Sequence, residues 1–145
     1  MTRKRVHIVL SAIASAVVLI SCGSTGKAVS TADLNGEWTI TGAMGSSISG
    51  SNGVRPSINF DTANSRVSGH SGCNRFMGGF TFNEDGKNSI SFSPVAATKM
   101  MCPDIETEQK IFQALESAKK IQKNSSTSIV LRSENGKSVL ELSRD

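Results

Sequence analysis

The sequence predicts a small, mainly β domain (α+β) with one helix packed against its sheet. Apolar and polar residues alternate on both sides of several short turns, which is typical of antiparallel strand pairs with one face in water. A single stretch after Pro103 instead has apolar residues at helical spacing. At 145 residues, the chain has room for one domain and short extensions.

Three strands are predicted in the first half of the domain. We expect the first at 36–41, with Trp38 as a buried anchor rather than a ligand platform, since single tryptophans in small β domains usually pack in the core. Small and polar residues at 42–53 indicate a mobile loop or a loosely paired strand edge. Alternation and an intervening turn then predict a hairpin with strands at 57–60 and 66–69.

The stretch from Val67 to Phe80 is the central feature of the chain, with four glycines and Cys73. Its composition favours a strand that leaves regular pairing, bends sharply and resumes as another strand. We expect the resumed strand at 79–83 and its hairpin partner at 89–93, because Phe and Ile alternate on one face of each.

One helix is predicted to begin at Pro103 and Asp104. Its buried face is indicated by apolar residues at helical spacing, namely Ile111, Phe112, Leu115 and Ala118. The exposed face is expected to carry two ion pairs at four-residue spacing, Glu106 with Lys110 and Glu116 with Lys120. We place Glu108 in the first turn, where a carboxylate favours the helix dipole.

The end of the chain predicts a β-hairpin with a two-residue turn at Asn135 and Gly136. Counting outward gives one apolar face and one mixed face: Leu131 with Leu140 and Ile129 with Leu142, then Arg132 with Val139 and Val130 with Glu141. Because one face is wholly apolar, a slip by one residue would expose it, so the register is fixed. A further strand at 118–123 can precede this hairpin.

The amino terminus has the three parts of an export signal. Basic residues at 3–5 precede an apolar run from Ile8 to Ile20, which is short for a membrane span but has the length of a signal-peptide core. The last residues, Leu-Ile-Ser-Cys ending at Cys22, resemble the bacterial lipobox, in which the cysteine is lipidated and becomes the first residue. The alternative is an ordinary signal peptide with an incidental cysteine.

Lipid on Cys22 would attach the protein stably to a membrane, since each buried methylene contributes about 0.8 kcal/mol and several chains act together. Gly23 stands where lipoproteins retained at the inner membrane usually have Asp, so the resemblance implies the outer membrane, facing the periplasm. The expected parts are a lipoprotein signal peptide at 1–21, a lipidated tether at 22–32 and a domain at 33–145.

The charge of the chain argues against nucleic acid as a partner. The formal net charge of +4 includes three basic residues of the export signal, and without them 13 basic residues face 12 acidic ones. The remaining charges are scattered along the sequence, whereas phosphate binding needs a concentrated basic surface.

Two cysteines remain for the folded domain if lipid occupies Cys22. Export delivers Cys73 and Cys102 to an oxidising compartment, so we expect a disulfide between them. In the chain-entropy model such a bridge raises the free energy of unfolding by roughly 3 to 4 kcal/mol. The alternative is two buried, reduced thiols. A redox role is not expected, because the two are far apart and there is no CxxC motif.

From Leu34 to Leu142 the chain resembles the META domain, the family of HslJ-like envelope proteins. The resemblance is carried by Leu34, Gly36, Trp38, Ile58, Phe60, Gly69, Gly72, Cys73, Asn74, Phe76, Gly78, Thr98, Met100, Cys102, Glu108, Phe112 and Leu115. It implies an antiparallel β-barrel-like sheet with one packed helix and a bridge between the two matching cysteines. It also implies links to the cell envelope, to heat and antibiotic stress and to secretion or motility, and it supplies no catalytic residues. Phe80, where the family more often has Tyr, is a departure.

No catalytic, cofactor or metal site is predicted. His70 is the only histidine outside the export signal, and neither a zinc spacing nor a GxSxG elbow accompanies it. We interpret His70 as a polar residue at the rim of the bend. Arg75 is a weak candidate for a contact surface, and Met100 and Met101 are interpreted as core filling rather than as a soft binding patch.

These observations predict a non-catalytic, lipid-anchored envelope protein, contributing to envelope maintenance or to heat and antibiotic tolerance. Its partners would be the membrane, through Cys22, and an unidentified envelope protein or small ligand. The alternative is a periplasmic carrier that binds a small hydrophobic ligand inside its barrel.

Overall fold

The computed structural model describes residues 28–50 and 53–145. In chain order the elements are α1 (Thr31–Leu34), β1 (Gly36–Ala43), β2 (Ser46–Ser47), β3 (Ser57–Asp61), β4 (Arg66–His70), β5 (Arg75–Asn83), β6 (Ser89–Phe92), β7 (Ala96–Ala97), α2 (Ile105–Ser117), β8 (Lys120–Ser125), β9 (Ser128–Arg132) and β10 (Ser138–Ser143). The predicted signal peptide, Cys22 and the predicted tether as far as residue 27 lie outside the described residues.

Eight antiparallel strands form a closed barrel in the order β1, β3, β4, β5, β6, β8, β9 and β10, and β10 pairs back with β1. The two short strands lie outside this ring, with β2 paired to β1 and β7 paired to β5. The predicted mainly β fold with a packed helix is therefore confirmed. Closure leaves few free strand edges, which protects a small sheet from pairing with other chains.

Inward-facing residues at every second strand position fill the barrel. Trp38 and Ile40 on β1, and Ile58 and Phe60 on β3, are each at most 1% exposed. Their spacing follows from the strand period of two residues. The indole Nε1 of Trp38 donates a hydrogen bond to the Leu34 carbonyl at 2.9 Å, so its one polar atom is satisfied in the core. The prediction of Trp38 as a buried anchor is confirmed.

The two helices cover opposite ends of the barrel. α2 contacts β1, β10 and β6, and since β6 lies across the ring from β1, the helix crosses one opening. Asp104 caps its first turn, and of the predicted apolar stripe Ile111 and Leu115 are buried, Phe112 is partly buried, and Ala118 is buried just after the helix ends. In the part of the chain that the structure describes, neither helix combines the length and hydropathy that crossing a bilayer requires.

The fold begins earlier than the predicted boundary at residue 33. Val29 is 3% exposed, and Ser30 forms a capping box with Asp33 at the start of α1. The Thr31 N–H donates to the Glu84 carboxylate, and the Val29 N–H donates to the Asn88 side chain. Residues 29–32, expected to belong to a free tether, therefore pack on the barrel.

The carboxy-terminal hairpin has the predicted register over most of its length. Leu140 pairs with Leu131, Glu141 with Val130 and Leu142 with Ile129. The expected pair of Arg132 with Val139 is wrong: Arg132 pairs with Ser138, and a bulge at Val139 turns that side chain inward, where it is 4% exposed. The connection also exceeds two residues, since Ser133 N–H donates to the Lys137 carbonyl.

Three other expectations about the elements need correction. β1 continues to Ala43, which is buried and pairs with β10, so the expected loop at 42–53 starts later. β5 begins at Arg75 rather than at residue 79. α2 ends at Ser117, so Lys120 lies in β8, and Glu116 has no ion pair with it in residues 28–50 and 53–145. The other expected pair, Glu106 with Lys110, is present at 2.8 Å.

Candidate functional site

The predicted bend is a tight turn at residues 71–74 that joins β4 to β5. The Ser71 N–H donates to the Asn74 carbonyl at 2.8 Å, and Gly72 has a φ of +98°, a conformation that L side chains rarely adopt. Just before the turn, Gly69 is required by space, because a Cβ there would lie 2.2 Å from the Ser57 carbonyl oxygen. The glycines thus permit a sharp reversal and a close strand contact.

A disulfide and the hydrogen bonds of one side chain attach this turn to the segment before α2. Cys73 forms the predicted disulfide with Cys102, with a Cα–Cα distance of 6.0 Å. The Asn74 Oδ1 accepts hydrogen bonds from the Thr98 hydroxyl and the Met100 N–H, each at 2.8 Å. The Asn74 Nδ2 donates to the Met100 carbonyl at 3.3 Å. Asn74 therefore acts as a second clamp beside the disulfide.

Glu108 supplies a third link, from α2 itself. Its side chain is buried, and Oε2 accepts a hydrogen bond from the Ser71 hydroxyl at 2.5 Å while Oε1 accepts one from Asn74 Nδ2 at 3.2 Å. The sequence reasoning missed this role by assigning Glu108 to the helix dipole. The available signal was its spacing, three residues before Ile111 and seven before Leu115, which puts it on the buried face of the helix.

The cluster of Ser71, Asn74 and Glu108 is closed to a substrate. A hydroxyl beside a carboxylate has the composition of a nucleophile and its base. However, Ser71 and Asn74 are each 1% exposed, and every buried side-chain nitrogen or oxygen in the described part of the chain has a partner. The arrangement joins the helix to the barrel, and its groups are oriented toward one another rather than toward a cleft.

The remaining predicted residues lie around this cluster. His70 is half-buried at the rim, as expected, and its Nδ1 accepts a hydrogen bond from the Gly72 N–H at 3.0 Å. Arg75 is exposed. Met100 and Met101 are 57% and 99% exposed, so the interpretation of core filling is wrong for both. No group of three or more potential metal ligands occurs within residues 28–50 and 53–145.

At the other end of the barrel, charged groups hold α1 in place. The Asp33 carboxylate accepts a hydrogen bond from Lys123 Nζ at 2.5 Å, and this bond, with those from Ser30, lowers the pKa of Asp33 to about 2. Arg144 donates to the Asp33 carbonyl at 3.1 Å, and its guanidinium lies 4.1 Å from the centre of the Trp38 ring. We call the segment 29–35 the α1 latch.

Aromatic side chains pack into the barrel interior, where a carrier would hold its ligand. Phe60 and Phe80 are buried, with ring centres 5.4 Å apart and nearly perpendicular, and Phe82 and Phe92 pack against the same core. A groove of about 530 Å³ lies instead at the side, between the end of β6 and α2. Its apolar lining comes from Phe92, Pro94, Val95, Phe112 and Leu115, and its polar lining from Ser93, Gln109, Gln113 and Glu116.

Comparisons with known proteins agree with this architecture. None of the curated proteins matches the chain. A protein from Burkholderia xenovorans, solved by NMR, is 24% identical, covers 95% of this chain and 99% of its own, and has a TM-score of 0.62. A second protein solved by NMR is 20% identical, covers 79% of this chain and 94% of its own, and has a TM-score of 0.60. These likenesses concern the fold alone.

The family comparison covers most of the chain. The META domain matches residues 31–145, which span α1 to the last strand and include the turn, the disulfide and Glu108. The resemblance seen in the sequence is thereby confirmed, and this chain belongs to the META domain family.

Proposed function

We propose that this META domain protein is a non-catalytic module held at the cell envelope by lipid on Cys22, on the outer membrane and facing the periplasm. The observation that carries the proposal is the Leu-Ile-Ser-Cys sequence at 19–22, placed after a basic start and an apolar run. In the part of the chain that the structure describes, the first buried residue is Val29, seven positions after Cys22.

The length of the segment from Cys22 to Val29 supports a close attachment. Val29 is seven residues after Cys22, and an extended chain spans at most about 3.6 Å per residue, so the connecting segment reaches at most about 25 Å. Val29 belongs to the α1 latch. A protein anchored in this way keeps the α1 end of its barrel near the membrane and presents the α2 end to the periplasm.

A role through contacts, rather than through a reaction, is supported by the closed polar cluster at the β4–β5 turn. We propose that the protein contributes to envelope maintenance or to heat and antibiotic tolerance by binding an envelope protein or a small ligand. The alternative of a carrier with a hydrophobic ligand inside the barrel is less well supported, because aromatic side chains such as Phe60 and Phe80 occupy that interior.

Fractionation of membranes tests the anchor. The wild-type protein is expected in the outer-membrane fraction, and Cys22→Ala is expected to be absent from it. Gly23→Asp should move the protein to the inner membrane, whereas the matched Gly23→Asn variant tests whether the charge is needed. An unchanged distribution of the Cys22→Ala protein would contradict the proposed anchor.

Growth of strains tests the role. A deletion strain is expected to be more sensitive to heat and to antibiotics than its parent, and a strain that makes only Cys22→Ala should share that sensitivity. Equal survival of all three strains would count against a role in stress tolerance, even if the protein is lipidated.

A further inference from the structure

The groove between β6 and α2, which we call the seam groove, lies where the barrel ring is least completely paired. β6 pairs with β8 at a single position, Ser89 with Lys120. Two backbone hydrogen bonds flank that pair, from the Ile90 N–H to the Lys119 carbonyl at 3.0 Å and from the Ile121 N–H to the Asn88 carbonyl at 2.9 Å. Beyond Ile90, β8 gives way to the end of α2. The far edge of β6 therefore has no neighbouring strand there in the described part of the chain.

The backbone at this edge faces the groove. In an antiparallel pair, hydrogen-bonding groups alternate between the two sides of a strand. The Ser93 N–H donates to the Gly79 carbonyl of β5 at 3.0 Å, whereas the Ile90 N–H points to the opposite side. Phe92 is two residues after Ile90, so its backbone N–H and C=O point to the same side as those of Ile90, away from β5. Neither group has a hydrogen-bond partner in residues 28–50 and 53–145.

The lining of the seam groove combines apolar surface with one uncompensated charge. Phe92, Val95 and Phe112 are partly buried and line the groove together with the buried Leu115. Glu116, on the last turn of α2, is exposed and makes no ion pair among the described residues. The volume of about 530 Å³ is in the range of ligand sites.

We propose that the seam groove binds an extended peptide segment, which adds to the free edge of β6 and places a basic residue near Glu116. An acyl chain could cover the apolar lining, but it would leave the N–H and C=O of Phe92 without partners. A peptide strand supplies a matching C=O and N–H, and its alternate side chains face the apolar lining. The negative charge of Glu116 selects a positively charged side chain at that end. This inference adds a partner class to the proposed envelope module, and it does not depend on lipid at Cys22.

Binding of a defined probe tests the inference. The probe is a fluorescein-labelled peptide of eight residues, with alternating valine and threonine and one terminal lysine, titrated against the purified mature protein in solution. We expect a saturable rise in anisotropy and slower hydrogen exchange of the Phe92 N–H. A version of the peptide with N-methylated backbone amides should not bind, because it cannot pair with a strand.

Charge variants locate the site. Glu116→Lys should weaken binding of the lysine peptide by about three- to tenfold, and a peptide with glutamate in place of lysine should regain that affinity. Glu134→Lys, the same change at an exposed position in the β9–β10 connection, should change affinity by less than about twofold.

Gln113→Trp, at an exposed groove-lining position, should block the groove and abolish binding. Equal binding of the N-methylated peptide, equal effects of the two charge reversals, or unchanged exchange of the Phe92 N–H would each overturn the inference. Displacement of the peptide by palmitate, with palmitate alone producing the same protection, would identify a lipid site instead.

Discussion

Glu108 joins α2 to the β4–β5 turn, and Glu108→Gln is expected to destabilise the domain. The carboxylate accepts two hydrogen bonds, from the Ser71 hydroxyl at 2.5 Å and from Asn74 Nδ2 at 3.2 Å. Glutamine keeps the size of the side chain but replaces one acceptor oxygen with a donor. One of the two bonds is then lost, and since a buried bond to a charged group contributes about 1.5 to 3 kcal/mol, the free energy of unfolding should fall by that amount.

Urea unfolding of the oxidised protein measures this loss. The dependence of the free energy of unfolding on urea concentration should be equal for the wild type and the variant, which checks that both expose the same surface area on unfolding. Glu106→Gln is the matched control, because it makes the same change on the same helix at an exposed position. Its pair with Lys110 has four-residue spacing, so its loss should cost only about 0.3 to 0.5 kcal/mol. A loss for Glu108→Gln no larger than that for Glu106→Gln would refute the reasoning.

Three further perturbations follow from the contacts. Replacing both Cys73 and Cys102 with serine should reduce the free energy of unfolding by roughly 3 to 4 kcal/mol and abolish the response of the urea transition to dithiothreitol. Because the pKa of Asp33 is about 2 when folded, below its ordinary value, its contribution is present above pH 4 and lost as the pH falls from 4 to 2. Asp33→Asn should remove about 1 kcal/mol of this acid dependence, after allowance for its partial exposure, and an unchanged pH profile would contradict the assignment. Arg144→Ala should cost about 1 to 2 kcal/mol and shift the fluorescence of Trp38, the only tryptophan, to longer wavelength; no shift would mean that the stacking does not shield the ring.

The strands that could be predicted from the sequence are those in which turn chemistry and alternation agree. Leu131 and Leu140 flank a connection that contains Asn135 and Gly136, and their apolar face determines the register. The bulge at Val139 could not be predicted in this way, because an inserted residue changes the side that a residue faces without changing its hydrophobicity.

Because of the glycines in the central stretch, the predicted start of β5 is too late in the sequence. The composition assigns Gly78 to the bend and Gly79 to the start of the resumed strand, yet β5 begins at Arg75 and runs through both glycines. Gly78 pairs with Val67 of β4, and its missing side chain leaves room for Val95 of the following connection. Whether a glycine bends a strand or admits a neighbour depends on tertiary contacts, which local composition does not contain.

The candidate site was predicted in its covalent part and missed in its polar part. Counting cysteines sufficed for the bridge of Cys73 with Cys102. Glu108 was assigned by its nearness to the helix start, although helical spacing places it on the buried face. The partners of a buried carboxylate, here Ser71 and Asn74, come from a distant turn, and only the fold brings them together.

The state of the three sulfur atoms is the most direct test of an anchored and bridged module. Intact mass spectrometry of the protein isolated from the envelope, with and without thiol labelling, reads all three at once. The account predicts a mature chain that begins at Cys22 with diacylglycerol and an acyl group, no label before reduction, and two labels, on Cys73 and Cys102, after it. Three free and unmodified thiols would contradict it.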